Sequence, residues 1–177
     1  MMYEELANTY KPKEIKILLI GEAPPPNGKS YFYKVPEKYP TRKSSIEDDT
    51  SLPATIFNHY FGRRPLNEKE YEKFLCLLKQ KGVFLIDIIH KPLEIQRKGK
   101  SLNIENIDIL VSPQNLNDLI ARIERLPITD ETKIIFLLAR NIYKKRLKDY
   151  LKGKLKSEPD YRAWKEFRMD SKESAII

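Results

Sequence analysis

The chain has 177 residues, 41% hydrophobic and 33% charged, the size and balance of a single soluble globular domain with a proper core. No apolar run approaches the roughly 20 residues needed to span a bilayer, so no membrane-spanning helix is expected. Lys and Arg number 33 against 25 Asp and Glu, and the net charge of +8 favours a polyanionic partner.

The N-terminus, Met1-Met2-Tyr3-Glu4-Glu5, lacks a basic and then apolar signal region, which predicts a cytosolic protein. The first strand is predicted over Ile15 to Ile20 and breaks at Gly21. After it come Glu22-Ala23-Pro24-Pro25-Pro26 and the aromatic triplet Tyr31-Phe32-Tyr33, in a long loop that runs to Ser51. Three successive prolines remove three N–H donors and stiffen that loop. A short helix is predicted from Pro53 to Phe61. Asn67 followed by Glu70 reads as a capping box, opening a helix to Lys81 that stops at Gly82.

Val83 to Ile89 is the second predicted strand, followed by a second long loop from His90 to Val111. Ser112-Pro113 places an N-cap ahead of a proline at the first helical position, leading into Leu116, Leu119, Ile120 and Ile123. A third strand is predicted over Lys133 to Ala139. Helices follow over Arg140 to Leu151, with Ile142, Leu147 and Leu151 inward, and over Ser157 to Arg168. The strands are continuously apolar rather than alternating, the pattern of a parallel sheet covered on both faces. Strands separated by helices imply right-handed crossovers. Both long loops follow the carboxyl ends of strands, where open α/β sheets bind ligands.

The single Cys76 rules out an internal disulfide and a cysteine-rich metal site, and its run Phe74-Leu75-Cys76-Leu77-Leu78 predicts core packing. His59 and His90 are too few and too far apart for zinc, so no metal and no cofactor are expected. Ala23 to Ser30 loosely matches a phosphate loop, and Asp87 ends a strand as a magnesium-binding acid would. The prolines, however, delete the donors such a loop needs, and Tyr31 to Pro36 cannot begin a long helix, so nucleotide hydrolysis is the weakest reading.

Gly21-Glu22-Ala23-Pro24 after the first strand resembles the first motif of the iron–sulfur-type uracil-DNA glycosylases, Gly-Glu-Ala-Pro-Gly. Gly82-Val83-Phe84-Leu85-Ile86-Asp87 is similar to the strand that in this superfamily ends in a base-reading Asn. The resemblance runs in element order from about Ile15 to Leu151. It implies a three-layer α/β/α sandwich with a short, mainly parallel four-stranded sheet, as one domain over 1–177. It implies a nucleic-acid partner, DNA, and a base glycosylase. The superfamily's second motif, often His-Pro-Ser after the fourth strand, does not occur, and the chain ends at Ser174-Ala175-Ile176-Ile177 where that strand would begin. Two readings therefore stand side by side: a glycosylase with a preference other than uracil, and a non-catalytic nucleic-acid or nucleobase-binding module.

In the enzyme reading Glu22 is the catalytic carboxylate, opposing positive charge on the sugar. Ala23, Phe32 and Asp87 form the base site, with Phe32 as stacking surface and Asp87 as edge reader. Ionised Asp87 only accepts hydrogen bonds, unlike an Asn amide, and repels O4 of uracil. The phosphate contacts expected are Lys29, Arg63, Arg64, Lys91, Arg97, Lys98 and Lys100, with Lys34, Arg42, Lys43 and His90 nearby. The run from Lys144 to Lys156 reads as a solvated face.

Overall fold

A computed structural model describes residues 3–25, 31–37, 51–92, 104–139 and 141–169. Its centre is β1 (Ile15–Gly21), whose Leu18, Leu19 and Ile20 are wholly buried because the strand has a neighbour on each side and helices above and below. β2 (Val83–Asp87) and β3 (Ile128–Leu138) flank it, and β4 (Asp160–Ala163) lies beyond β3. All pairings are parallel, in the order β2-β1-β3-β4.

α2 (Leu52–Phe61) and α3 (Glu68–Gln80) join β1 to β2. α4 (Ile104–Leu110) and α5 (Pro113–Glu124) carry the chain from β2 back across β1 to β3. α6 (Lys144–Leu151) joins β3 to β4, α7 (Trp164–Met169) follows β4, and α1 (Tyr3–Thr9) precedes β1. Phe57 of α2 packs on Phe74 of α3, and α2 also lies along α7, forming one helical layer. An Arg146–Asp108 ion pair and an α5–α6 contact tie the helices of the other layer together. The result is the expected α/β/α sandwich. Among the described residues, no helix is long and apolar enough to cross a membrane.

Local chemistry explains the helix ends. Ser51 and Ser112 accept from the N–H of Ala54 and Asn115, each at 3.3 Å, with proline in the first turn of both helices. Asn67 caps α3 through the Glu70 N–H at 3.0 Å, but the capping box is only half made. The Glu70 carboxylate turns instead to Arg63 and the Leu66 N–H. Gly82 supplies the left-handed turn into β2 at φ +76°, a conformation that suits glycine.

Several expectations are corrected. Residues 157–168 are not one helix: Asp160–Ala163 form β4, so the fourth strand precedes the C-terminal segment expected to supply it. Four residues reading Asp-Tyr-Arg-Ala are too short and too polar to signal a strand, and parallel pairing to Ile135–Leu138 decides the outcome. The loop from His90 to Val111 contains α4. Ile142 is 65% exposed rather than inward, because Asn141–Tyr143 form a 3-10 turn whose phase gives the buried place to Tyr143. Cys76 is exposed, since Tyr71, Phe74, Leu75 and Leu78 fill the inward stripe of α3.

The outer edges of the sheet are closed by side chains. Tyr33 reaches β2, where its hydroxyl donates to the Leu85 carbonyl at 3.0 Å and accepts from the Leu85 N–H at 2.7 Å. On β4 the Tyr161 N–H is taken by Asp160 and the Ala163 N–H by Glu166. Removing the hydroxyl with Tyr33→Phe strands two buried backbone groups, at a cost of about 2–4 kcal/mol. Thermal denaturation is expected to register that loss, with Tm down by roughly 4–16 °C; an unchanged midpoint would show that the hydroxyl does not hold this edge.

Candidate functional site

The chain reverses direction at β1. It first moves outward to β2, then crosses back over β1 to β3 and on to β4. In an open parallel sheet such a reversal leaves a crevice beyond the carboxyl ends of the two strands that the connections leave in opposite directions, here β1 and β3. The residues after those strands meet at this point.

Glu22 lies directly beyond β1, and its backbone continues the pairing with the β2 side. The Gly21 carbonyl accepts from the Ile88 N–H at 2.9 Å and the Glu22 carbonyl from the Ile89 N–H at 3.1 Å. The Glu22 side chain turns the other way, toward β3. Its Oε1 accepts from the Ala139 N–H at 2.9 Å and from the hydroxyl of Tyr143. Tyr143 is wholly buried at the end of the 3-10 turn that follows β3. One residue, Glu22, thus joins both neighbours of β1, with its backbone on the β2 side and its side chain on the β3 side.

Asp87 ends β2 in register with Gly21 and is half-buried. Its carboxyl occupies the space that a side chain at position 21 would need: a Cβ on Gly21 would sit 2.5 Å from Oδ1. Burial, reinforced by the neighbouring charge of Glu22 and opposed by Arg122, pushes the Asp87 carboxyl up to about 7. Arg122 reaches over from α5, where Nη1 donates to the Asp87 carbonyl at 2.9 Å and Nη2 to the Ile88 carbonyl. Its Nε donates to Asp118 at 2.9 Å, and the same carboxylate lies 3.4 Å from His90 Nδ1. Arg122 thereby anchors the chain leaving β2 and lays positive charge beside Asp87.

Glu22 and Asp87 therefore lie at the same edge of the sheet, near enough for the charge of one to act on the other, but the Glu22 carboxylate is directed to β3 and not to Asp87. Tyr143 and Arg122 are the partners that sequence reasoning misses. Arg122 is a partly buried basic residue in the last turn of α5, where cations are commonplace, so it carries no signal of its role. Tyr143 offers none beyond an aromatic placed just after a strand. Ala23 is half-buried and packs against the core beside Glu22.

Phe32 differs from expectation. It is 5% exposed, wedged against Phe57 and Tyr33, and its carbonyl accepts from the Tyr71 hydroxyl at 2.9 Å. The aromatic triplet is packed into the core, so Phe32 presents no face on which a base could stack. Burial of apolar area outweighs exposure wherever a ring finds such neighbours.

The cations divide. Arg63 forms a two-pronged pair with Glu70, holding that carboxylate down at about 2. Arg64 is 7% exposed and faces the interior, away from any phosphate. Lys91 is exposed just beyond β2, on the crevice side. Lys29, Arg97, Lys98 and Lys100 lie outside the described residues, as does the glycine-containing part of the phosphate-loop match.

A cavity of about 250 Å³ lies at the other end of the sheet, lined by Asp130 to Ile135 of β3 and by Ser157, Glu158 and Asp160. Four acids border it, which disfavours any phosphate-bearing ligand there. No family model, curated protein or solved structure matches this chain.

The raised Asp87 carboxyl makes stability depend on pH. The folded protein retains a proton that the unfolded chain releases above about pH 4, near the ordinary value of 3.8. Its contribution is thus fully present below that pH and is lost as pH rises through about 7. Asp87→Asn carries no such proton and is expected to exceed the parent at pH 8 by on the order of 2 kcal/mol while matching it near pH 4. Urea titrations at pH 4, 6 and 8 measure this; a difference independent of pH would contradict it.

Proposed function

We propose that this chain is a nucleic-acid-binding protein of the uracil-DNA glycosylase type, acting as a base glycosylase at the β1/β3 crevice. The observation that carries this reading is the fixed position of Glu22 at the switch point, with Asp87 close enough to feel its charge. Hydrolysis breaks the bond between the sugar C1′ and the base nitrogen. The base departs with the electron pair and takes up a proton, and water supplies the oxygen that binds C1′. Positive charge develops on the sugar as the bond breaks, and a carboxylate already oriented by two donors opposes it without reorganisation. The Ala139 N–H and the Tyr143 hydroxyl give Glu22 that orientation.

Asp87 reads the base edge in this scheme, and its carboxyl near 7 refines which edge. Ionised, it only accepts. Protonated, it offers one O–H donor beside an acceptor, the pattern of an Asn amide. Uracil, with its C=O beside an N–H, fits the protonated form and is repelled by the ionised one. The non-uracil preference is then a property of pH above about 7. The second reading, a non-catalytic nucleobase or nucleic-acid module, draws support from the burial of Phe32, which leaves the site without its expected stacking ring.

Oligonucleotides carrying uracil, hypoxanthine or xanthine, incubated at pH 6 and pH 8, separate the two. The enzyme releases base from at least one of them, and Glu22→Gln slows release by about a hundredfold or more without weakening binding. Asp87→Asn is expected to strengthen uracil binding at pH 8 and to change it little at pH 6. Binding without release from any substrate at either pH would establish the module instead.

A further inference from the structure

The residues from Lys144 to Lys156 hold seven Lys and Arg against one acid, Asp149, and so carry most of the chain's net +8. In the sequence this run reads as an ordinary solvated face. The structure makes it costly. α6 has only eight residues, its N-cap makes no side-chain hydrogen bond, and its first turn has no acid. That turn carries Lys144, Lys145 and Arg146, where the helix dipole disfavours cations. Lys144 and Lys148, and then Lys148 and Lys152, stand four residues apart, a spacing at which like charges repel by about 0.2–0.5 kcal/mol per pair.

Little around the helix offsets this charge. Arg146 pairs with Asp108, but among the described residues no acid forms an ion pair with Lys145, Lys148, Lys152, Lys154 or Lys156. Their nearest neighbours include aromatic rings: Lys148 Nζ lies 5.6 Å from the Tyr161 ring centre and Lys154 Nζ 3.5 Å from that of Tyr150. Rings position an ammonium group and leave its charge in place. All five lysines are exposed, while Leu147 and Leu151 fill the inward side. The face begins one residue after the 3-10 turn that delivers Tyr143 to Glu22. From Lys145 to Lys152 it spans about 10 Å, the length of about three base pairs.

We propose that this face of α6 and the turn after it is a phosphate-backbone contact surface for nucleic acid, running away from the crevice along the second helical layer. It extends the nucleic-acid reading above but does not depend on catalysis. It also moves the contact from Arg63 and Arg64, which the fold has committed elsewhere, to a cationic surface that the fold leaves open.

The test is Lys145→Ala/Lys148→Ala/Lys152→Ala in the full chain, titrated with a fluorescent, undamaged 20-base-pair duplex between 50 and 200 mM salt. The parent is expected to bind with a steep salt dependence, and the variant to lose tenfold or more in affinity at 100 mM salt. The slope of log K against log salt should fall by about 2–3, near 0.9 for each phosphate that is no longer neutralised. Thermal unfolding should show the variant at least as stable as the parent, because the repulsion is gone, so the loss cannot be ascribed to misfolding. Equal affinity and slope for the two proteins would overturn the proposal. So would retention of the parent, by these lysines, on phosphatidylserine vesicles with no binding to the duplex. Glu22→Gln should keep the parental slope. A protein that binds through this face yet releases no base sustains this inference while overturning the glycosylase reading.

Discussion

Everything in this structure turns on β1 having a neighbour on each side. Its Leu18, Leu19 and Ile20 are fully buried, and it pairs with β2 on one edge and β3 on the other. A first strand in that position forces the chain to go out one way and return the other. In open parallel sheets such a return puts the switch point at the carboxyl ends of the two strands concerned, here β1 and β3. Backbone groups that would otherwise be unpaired there need partners. Glu22 meets that need for the Ala139 N–H, and Arg122 for the carbonyls of Asp87 and Ile88. The candidate site residues are thus the same groups that satisfy the backbone at this edge.

The same logic explains the edges. A four-stranded open sheet has two rows of backbone groups available to another chain. Tyr33 satisfies both polar groups of Leu85 on one edge with a single hydroxyl. The carboxylates of Asp160 and Glu166 occupy N–H groups on the other. The triplet Tyr31-Phe32-Tyr33, which looks from its composition like a stacking platform, therefore packs inward, with Tyr33 covering β2. Tyr31, Phe32 and Tyr33 are all buried, so none of the three rings is left over for a ligand.

How much of this is legible in the sequence depends on range. β1, β2 and β3 announce themselves as continuous apolar runs, and the caps at Ser51, Asn67 and Ser112 are local chemistry, so the layered parallel sheet follows from short windows alone. β4 does not, because its four residues have no strand pattern of their own and exist as a strand only through pairing with Ile135 to Leu138. Glu22 and Asp87 are legible because acids at the ends of apolar strands are conspicuous. Tyr143 and Arg122 lie 121 and 35 residues from the groups they hold, and no local pattern encodes such meetings. Arg64 looks like a phosphate contact for the same reason, since burial of a cation is decided by the tertiary neighbours around it.

Two features of the molecule run against its stability, and they lie on adjoining ground. Asp87 is held where burial and Glu22 both resist its ionisation, an arrangement that a neutral side chain would relieve. α6 concentrates like charge in a short helix whose first turn is the wrong end for it. The end of β2 is held by Arg122, and α6 is seated by its buried Leu147 and Leu151. Tyr143 links the two, since it bonds to Glu22 and immediately precedes α6. Strain in independent places would be expected to scatter over the fold. Here the two are joined through Tyr143, which ties the carboxyl edge of the sheet to the start of the cationic helix.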